Sequence, residues 1–485
     1  MWKILIAALS LICANAAAHT TKHSRREIIG FTLRNGPWNP SHLCDIVQTA
    51  HAYWVFLDDN SHQMHEIGRS IDKIQKGPRK PTFKVLTGWT SDGRAIIEAG
   101  RQDRRYLDGE FQDLCKGSYL PFEYDSWICP IDVESPEHEA CVPVTSEVEK
   151  GFNPLSGKDD EVDPNNRSGY IPLLGNQRRL LFEHNGEFYF VGSWFTKPKK
   201  APSHLFRIVP VANGIQAAML LDGADIRDMG ISPREDVTPP AKAIIDLGSF
   251  CFTIRQGQNL PGIDVGNWYD TCKDSPGKPN NFLKWSPRGD MVAFTQGAGS
   301  PDGVGSMHVF VIQWDPQEKT PTAPTVSVSD DFCSGISHQD SEFDWGPDAS
   351  GKNVMWLYFY TCHSGLVRWP INTAGGAAGQ CESLTNKAIS PCMQGAQLLG
   401  PQESLKLYPA VSEDGRYLVT AEGTLSGVWH LQYVDLGRRV EGRVWQPIPI
   451  SDKDYWSSCK GVCVPFITFP HFRPFKKAPP IQNLQ

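Results

Sequence analysis

Residues 280–296 read NNFLKWSPRGDMVAFTQ: an aromatic and aliphatic run, a Ser-Pro-x-Gly turn, then a second apolar run. The same grammar recurs in KVLTGWTSDGRAIIEAG (84–100), SEFDWGPDASGKNVMWLYFY (341–360) and YPAVSEDGRYLVTAEG (408–423). Each first run ends at Trp89, Trp285, Trp345 or Val411, and each turn ends on glycine. Glycine supplies the positive φ that such a turn needs, so these segments predict four β-hairpins.

Third strands follow the hairpins at 307–315, 365–372, 428–436 and 126–133, and weaker copies of the hairpin lie at 179–211 and 241–256. Trp285, Trp345 and Val411 follow one another at intervals of 60 and 66 residues, room for three or four strands each. A unit of that size cannot bury both of its faces alone, so the units must stack on one another, as propeller blades do. The turns resemble those of TolB-type propeller repeats, in which a Trp-Ser-Pro-Asp-Gly turn follows the innermost strand. The resemblance covers about 25 residues at each of the four places, and it implies fold rather than function. The expected architecture is all-β: a single closed propeller of seven blades, with six as the alternative, spanning 19–450 and stapled by disulfides. The strand EIIGFTLR (27–34) is placed to close the ring against the last blade. The Glu-, Pro- and Asp-rich segment 134–168 reads as an insertion, and 451–485 as a C-terminal tail with a C-x-x-x-C pair.

Lys3, an apolar run from Ile4 to Ala14 and the small residues Ala16 to Ala18 make residues 1–18 a secretory signal peptide, too short for a membrane anchor. The expected location is therefore the secretory pathway. Thirteen cysteines become twelve once Cys13 leaves, and Cys129/Cys141, Cys251/Cys272, Cys333/Cys362 and Cys381/Cys392 are near enough to be local staples. Sequence alone does not set their pairing. Cys459 and Cys463 read as a further structural bridge. Asn166 heads the sequon Asn-Arg-Ser and is the expected glycan site. A formal net charge of −7 with no basic stripe gives no reason to expect a nucleic-acid partner. Oligomeric state leaves no mark in the sequence.

Five positions before each turn-side residue lie Lys84, Asn280, Asp340 and Lys406; the antiparallel return strands bring Arg101, Gln296, His363 and Glu422 to the same end. Eight polar residues would thus ring one mouth of the channel, where pockets collect. The bland reading is a wet channel lined for solvation. On the strand SHQDSEFDW, period two puts His338, Asp340, Glu342 and Asp344 on one face, a set that suits acid–base chemistry or a structural calcium. Asp344 is better explained as an ion-pair partner of Lys284 or Lys406. His338, Asp340 and His363 are the catalytic candidates. Lys84, Arg101, Asn280 and Lys406 are candidate substrate contacts, and Trp356, Tyr358 and Tyr408 are candidate walls of an apolar pocket.

The chain carries no G-x-S-x-G elbow, no H-E-x-x-H and no phosphate or dinucleotide loop, so its chemistry is expected to need no cofactor. Three functions fit: a lyase of uronate-containing polysaccharides, a non-catalytic glycan- or protein-binding module, and a small-molecule enzyme. Equivalent positions differ between repeats (Lys84, Asn280, Asp340, Lys406), which argues for one asymmetric pocket over repeated sugar sites. In its signal peptide, sequon, many cysteines, abundant Trp and absence of cofactor motifs, the chain resembles the secreted, glycosylated fungal hetero-Diels–Alderases of tropolone-sesquiterpenoid pathways. That resemblance implies dehydration of a tropolone carbinol to a quinone methide and its cycloaddition to a humulene-type alkene. It transfers no catalytic residue.

Overall fold

A computed structural model describes residues 26–37, 49–57, 63–75, 81, 83–102, 122–136, 139–144, 181–184, 186–192, 204–210, 216–222, 226–234, 236–237, 240–246, 249–256, 267–274, 280–297, 307–315, 326–327, 343–347, 354–361, 365–372, 382–383, 405–423, 429–438, 443–449 and 463–474. These form an all-β chain of successive antiparallel meanders, the layout of propeller blades. Four-stranded sheets are built from residues 181–222, 226–270, 280–327, 344–383 and 405–448. An eight-stranded sheet takes in the strands Ile28–Pro37, Thr49–Phe56, His65–Ile67, Phe83–Trp89, Ala95–Gln102, Phe122–Cys129, Val142–Pro143 and Cys463–Phe472. Its two halves meet through one parallel pair, Ala50 with Phe83.

The hairpin turns show why their sequence repeats. Gly93, Gly289 and Gly415 take φ of 80°, 68° and 72°, and Gly186 in the weaker copy takes 76°. In the first three the glycine N–H donates to the carbonyl three residues back, on Thr90, Ser286 or Ser412. The hydroxyl of that Thr or Ser accepts from a backbone N–H one or two residues beyond the glycine, at 2.9 Å for Arg94, 3.2 Å for Met291 and 2.9 Å for Tyr417. A hydroxyl at the start and a glycine at the end thus satisfy the turn's backbone groups.

The tryptophans explain the stacking. Trp89, Trp285 and Trp345 donate their indole N–H to the carbonyls of His471, Gly230 and Lys284, each on a neighbouring strand group, at 3.1, 3.0 and 3.1 Å. A Cβ on Gly30 would lie 2.6 Å from Trp89, and one on Gly230 3.0 Å from Trp285, so glycine admits the ring. Apolar clusters span successive sheets. Ile244 and Tyr189 share one, Ile254 and Trp285 another, Val311 and Leu357 a third, Tyr358 and Leu418 a fourth. Val419 and Leu431 pack on Phe31 and Val55.

Two expectations need restating. The strand Ile28–Pro37 does pair near the chain's end, but with Cys463–Phe472, which lies in the segment read as a tail. The copy at 241–256 is not the start of its sheet: Ile226–Ile231 precedes it and pairs with Ala241–Asp246. Arg227 and Asp228 break the apolar pattern of that strand, which hid it. Cys129–Cys141 and Cys251–Cys272 are disulfides, with Cα atoms 4.1 and 5.3 Å apart. Of the other expected bridges only Cys463 falls within the described residues; the expected signal peptide, the glycan site Asn166 and most of 134–168 lie outside them. Among the described residues no helix is long and apolar enough to cross a membrane.

Candidate functional site

The densest meeting of ionisable groups among the described residues lies where the halves of the eight-stranded sheet join. Period two on strand Thr49–Phe56 puts His51 and Tyr53 on one face. The short strand His65–Ile67 sets Glu66 opposite Tyr53 in register. Gly68, at φ 87°, turns the chain into the helix Arg69–Ile74, which carries Asp72. The first strand of the next hairpin then brings Lys84 beneath them. A Cβ on Gly68 would lie 3.0 Å from Lys84 Cδ, so glycine leaves room for the lysine stem.

Lys84 is 3 % exposed, yet its ammonium is fully engaged. Nζ donates to Glu66 Oε1 at 2.6 Å, to Asp72 Oδ2 at 3.1 Å and to Gly68 O at 3.5 Å. Three donors meet three acceptors, the condition for burying such a charge. Glu66 Oε1 also lies 2.9 Å from His51 Nδ1, and Arg69 Nε is 3.5 Å from Glu66 Oε2. Burial alone would push the Glu66 carboxyl upward. The hydrogen bond from His51 and the charge and hydrogen bond of Lys84 outweigh it and hold the pKa down at about 2. Glu66 is therefore ionised and can only accept. His51 must donate to it from Nδ1.

A third carboxylate braces this cluster. Glu139, in the loop closed by Cys129–Cys141, accepts from Gly68 N at 2.6 Å, Ser70 N at 3.2 Å and Ser70 Oγ at 3.4 Å. Burial raises its pKa above the usual value, against those hydrogen bonds and the charge of Lys84. Ser70 Oγ in turn accepts from Cys141 N at 2.9 Å, tying helix to disulfide loop.

Of the expected site residues, Lys84 is central here. Arg101 stands opposite Glu123 in its strand pair, and Lys406 opposite Glu422. Asn280 pairs with Gln296 across the 280–297 hairpin, as the register argument requires. It is 1 % exposed, donating to Phe250 O at 2.7 Å and Thr271 Oγ1 at 2.9 Å and accepting from Gln296 at 3.3 Å. Phe250 holds φ of 57° at that contact, one of two non-glycine residues with positive φ among those described. The other is Tyr408, at 54°. Tyr358 is buried between sheets with Leu366 and Leu418, while Tyr408 packs in a separate cluster with Tyr360 and Phe31. Trp356 is half-buried under the Arg368 guanidinium, 4.2 Å from its ring. The three aromatic residues thus occupy two packing clusters. Asp344 binds Lys284 at 2.7 Å, one of the two partners expected for it. His338, Asp340, His363 and the calcium reading of that strand lie outside the described residues.

His51, Glu66, Asp72 and Glu139 escaped the sequence reading. They lie on four separate segments with no hairpin repeat, and only the crossing of the chain between the halves of the eight-stranded sheet brings them together. Cys129, Glu139 and Cys141 lie close enough to hold an ion, as do Cys251, Asp270 and Cys272, but in both groups the sulfurs are taken by a disulfide.

No protein-family model matches the chain, and no curated protein matches it in sequence. Among solved structures, the periplasmic gluconolactonase PpgL of Pseudomonas aeruginosa aligns at a TM-score of 0.41 and 12 % identity, over 86 % of this chain and 95 % of that one. TolB of Acinetobacter baumannii aligns at 0.31 and 10 %, over 67 % and 65 %. A puromycin hydrolase aligns at 0.44 and 12 %, over 89 % and 55 %. Likeness at this level concerns the course of the backbone and says nothing of side-chain chemistry.

Proposed function

We propose that the chain is a closed seven-bladed propeller, exported through the secretory pathway, that performs acid–base chemistry on a small hydroxylated molecule. Each half of the eight-stranded sheet counts as one blade beside the five four-stranded sheets, and the Ile28–Pro37/Cys463–Phe472 pairing closes the ring. The two disulfides fit an oxidising compartment. One observation carries the functional reading: a buried lysine holds an ionised glutamate that orients a histidine beside it through the ring's Nδ1. A carboxylate-oriented imidazole is a standard proton-transfer device.

The reaction we assign is the hetero-Diels–Alder coupling of a tropolone carbinol with a humulene-type alkene. The carbinol loses its hydroxyl group and a ring-hydroxyl proton as one water, leaving a quinone methide. That heterodiene then adds across the alkene, with two carbon-bound σ bonds formed and no redox change. A base and hydrogen-bond donors serve the first step, and orientation of the two partners serves the second. Uronate lysis fits the cluster less well. Its cations Lys84 and Arg69 are already matched by Glu66 and Asp72, and Glu139 adds a third carboxylate, so little is left to neutralise a uronate. The test is direct incubation of purified protein with a tropolone carbinol and a humulene alcohol, and separately with pectic or ulvan-type polysaccharide. A stereodefined dihydropyran supports the assignment. Ultraviolet absorbance from unsaturated uronates replaces it with the lyase, and binding of glycan without turnover replaces it with a lectin.

A further inference from the structure

We infer that the protein pairs with a second copy of itself through the strand Gln216–Asp222, the two copies joining edge to edge and antiparallel about a two-fold axis at Met219. The strand order leads there. First strands of the four-stranded sheets face a neighbouring strand group. Trp285 and Trp345, on two of them, reach Gly230 and Lys284, and Glu183, on a third, accepts from Ser91 N at 2.6 Å. The last strand is the edge left over. Elsewhere these outer strands are short: Asn267–Asp270 has four residues, Gln446–Ile448 three, and Val326–Ser327 and Glu382–Ser383 two each. The outer strands of the eight-stranded sheet, His65–Ile67 and Val142–Pro143, have three and two. Gln216–Asp222 runs for seven. Among the described residues it pairs with His204–Pro210 on one side and with nothing on the other.

Short outer strands and edge prolines, such as Pro143 and Pro447, keep a sheet from recruiting another strand. The 216–222 edge has neither device, and its one charge stands at the end, on Asp222. At about 3.4 Å per residue it offers about 24 Å of backbone, with the N–H and C=O of alternate residues directed away from 204–210. The strand's own sequence, QAAMLLD, names the occupant. Antiparallel pairing with its copy about Met219 sets Gln216 opposite Asp222, Ala217 opposite Leu221 and Ala218 opposite Leu220. An amide thus meets a carboxylate, each small residue meets a large one, and no like charges oppose. Parallel in-register pairing would instead bring the two Asp222 residues side by side. The register shift at Leu221 lies at one end, two residues from the axis. A two-fold contact uses the same edge on both copies, so the assembly closes at two.

Analytical ultracentrifugation of the purified full chain over a range of concentrations is the first measurement. The mass should rise from that of one chain to that of two as the protein is concentrated. Met219→Glu separates this edge from every other surface. Within one copy, residue 219 stands opposite Arg207, which already bonds Glu187 at 3.4 Å, so the new carboxylate has a cation beside it. Across the two-fold axis the two new carboxylates meet each other and repel. The variant should keep the parent's melting temperature and stay at one chain's mass over the same range. Hydrogen exchange of the parent protein needs no variant and gives a second check. Amides of 216–222 that face away from 204–210 should exchange fast in dilute protein and slowly in concentrated protein, while those facing 204–210 stay slow in both. A parent protein that keeps one chain's mass throughout overturns the inference. So does a Met219→Glu dimer as tight as the parent's, which moves the contact to another surface. Outward amides already protected in the single chain would also overturn it, because another segment of the chain would then hold the edge.

Discussion

Two joints between neighbouring strand groups solve the same packing problem with different chemistry. Where the 226–270 sheet meets the 280–327 sheet, Trp285 lies over Gly230, donates to its carbonyl and stands edge-on to Trp314 at 5.5 Å. Asp228 accepts from Leu283 N at 3.2 Å, and apolar side chains fill the rest. Where the halves of the eight-stranded sheet meet, Trp89 over Gly30 repeats that design at the turn end. At the other end stand Lys84, Glu66, Asp72 and His51. A joint packed mainly by apolar side chains already suffices elsewhere in the molecule, and burying ions is often no better for stability than apolar packing. An ionic cluster at one joint is therefore the feature that stability alone does not call for.

Breaking the mainly apolar joint should give the largest effect. Trp285→Ala removes a buried indole, its hydrogen bond and its contact with Trp314, and should cost about 3–5 kcal/mol. Chemical denaturation measures it. A loss below about 1 kcal/mol would mean that Trp285 does not anchor the joint.

The ionic joint should break with acid. Glu66 sits at about 2 when folded, against an ordinary value of 4.5. A carboxyl with a depressed folded pKa contributes stability above its unfolded value and loses it as pH falls through the folded one. Stability should therefore drop between about pH 4.5 and pH 2, by on the order of 2–3 kcal/mol from this group. In Glu66→Gln that part of the slope should vanish. Glu139 has the opposite sign: its folded pKa is raised, so it favours the folded state more as pH falls, and Glu139→Gln should steepen the acid transition. Stability-versus-pH curves of the two variants that move the same way would refute the assignment of opposite roles.

Turn conformation is next in size. Gly289 has φ of 68°, and a Cβ there would lie 2.5 Å from Ser232 Oγ and 2.9 Å from Arg234 N. Gly289→Ala should cost about 1–3 kcal/mol. Gly186→Ala, with φ of 76° and open space around it, should cost less, about 1 kcal/mol. Equal costs would show that the neighbouring sheet gives way at no expense.

These comparisons also mark what the sequence could disclose. Hairpins were legible because their determinants are local: a hydroxyl at Thr90, Ser286 or Ser412, a glycine three residues on, and β-formers on either side. The spacing of the tryptophans carried the stacking for the same reason. Asn280 and Lys406 were correctly placed opposite Gln296 and Glu422, since an antiparallel hairpin fixes its own register. The position of Lys84 was legible but its surroundings were not. Those come from a three-residue strand, a six-residue helix and a disulfide loop whose Glu139 bonds Gly68 from 71 residues away, joined by no repeat. Ile226–Ile231 was missed because Arg227 and Asp228 interrupt its apolar run, although Asp228 is the residue that reaches the next sheet.

The smallest expected effect separates the two kinds of joint at a single residue. Asp344 serves both: Oδ1 faces Lys284 Nζ at 2.7 Å, and Oδ2 accepts from Val411 N at 2.8 Å, so one side chain links three successive sheets. Asp344→Asn removes the charge but leaves an amide oxygen able to accept from Val411. Lys284 is about a third exposed, so the pair is well screened, and its loss should cost only about 0.2–1 kcal/mol, shrinking further in high salt. Asp344→Ala removes the acceptor as well and strands the buried Val411 N–H, adding about 1–3 kcal/mol that salt should not diminish. If Asn costs as much as Ala, the ion pair carries the joint. If both are near zero, Asp344 is not part of it. The expected ordering, a small salt-sensitive loss for Asn and a larger salt-insensitive one for Ala, would make the backbone hydrogen bond the element common to both kinds of joint, with charge added only where Lys284 happens to reach.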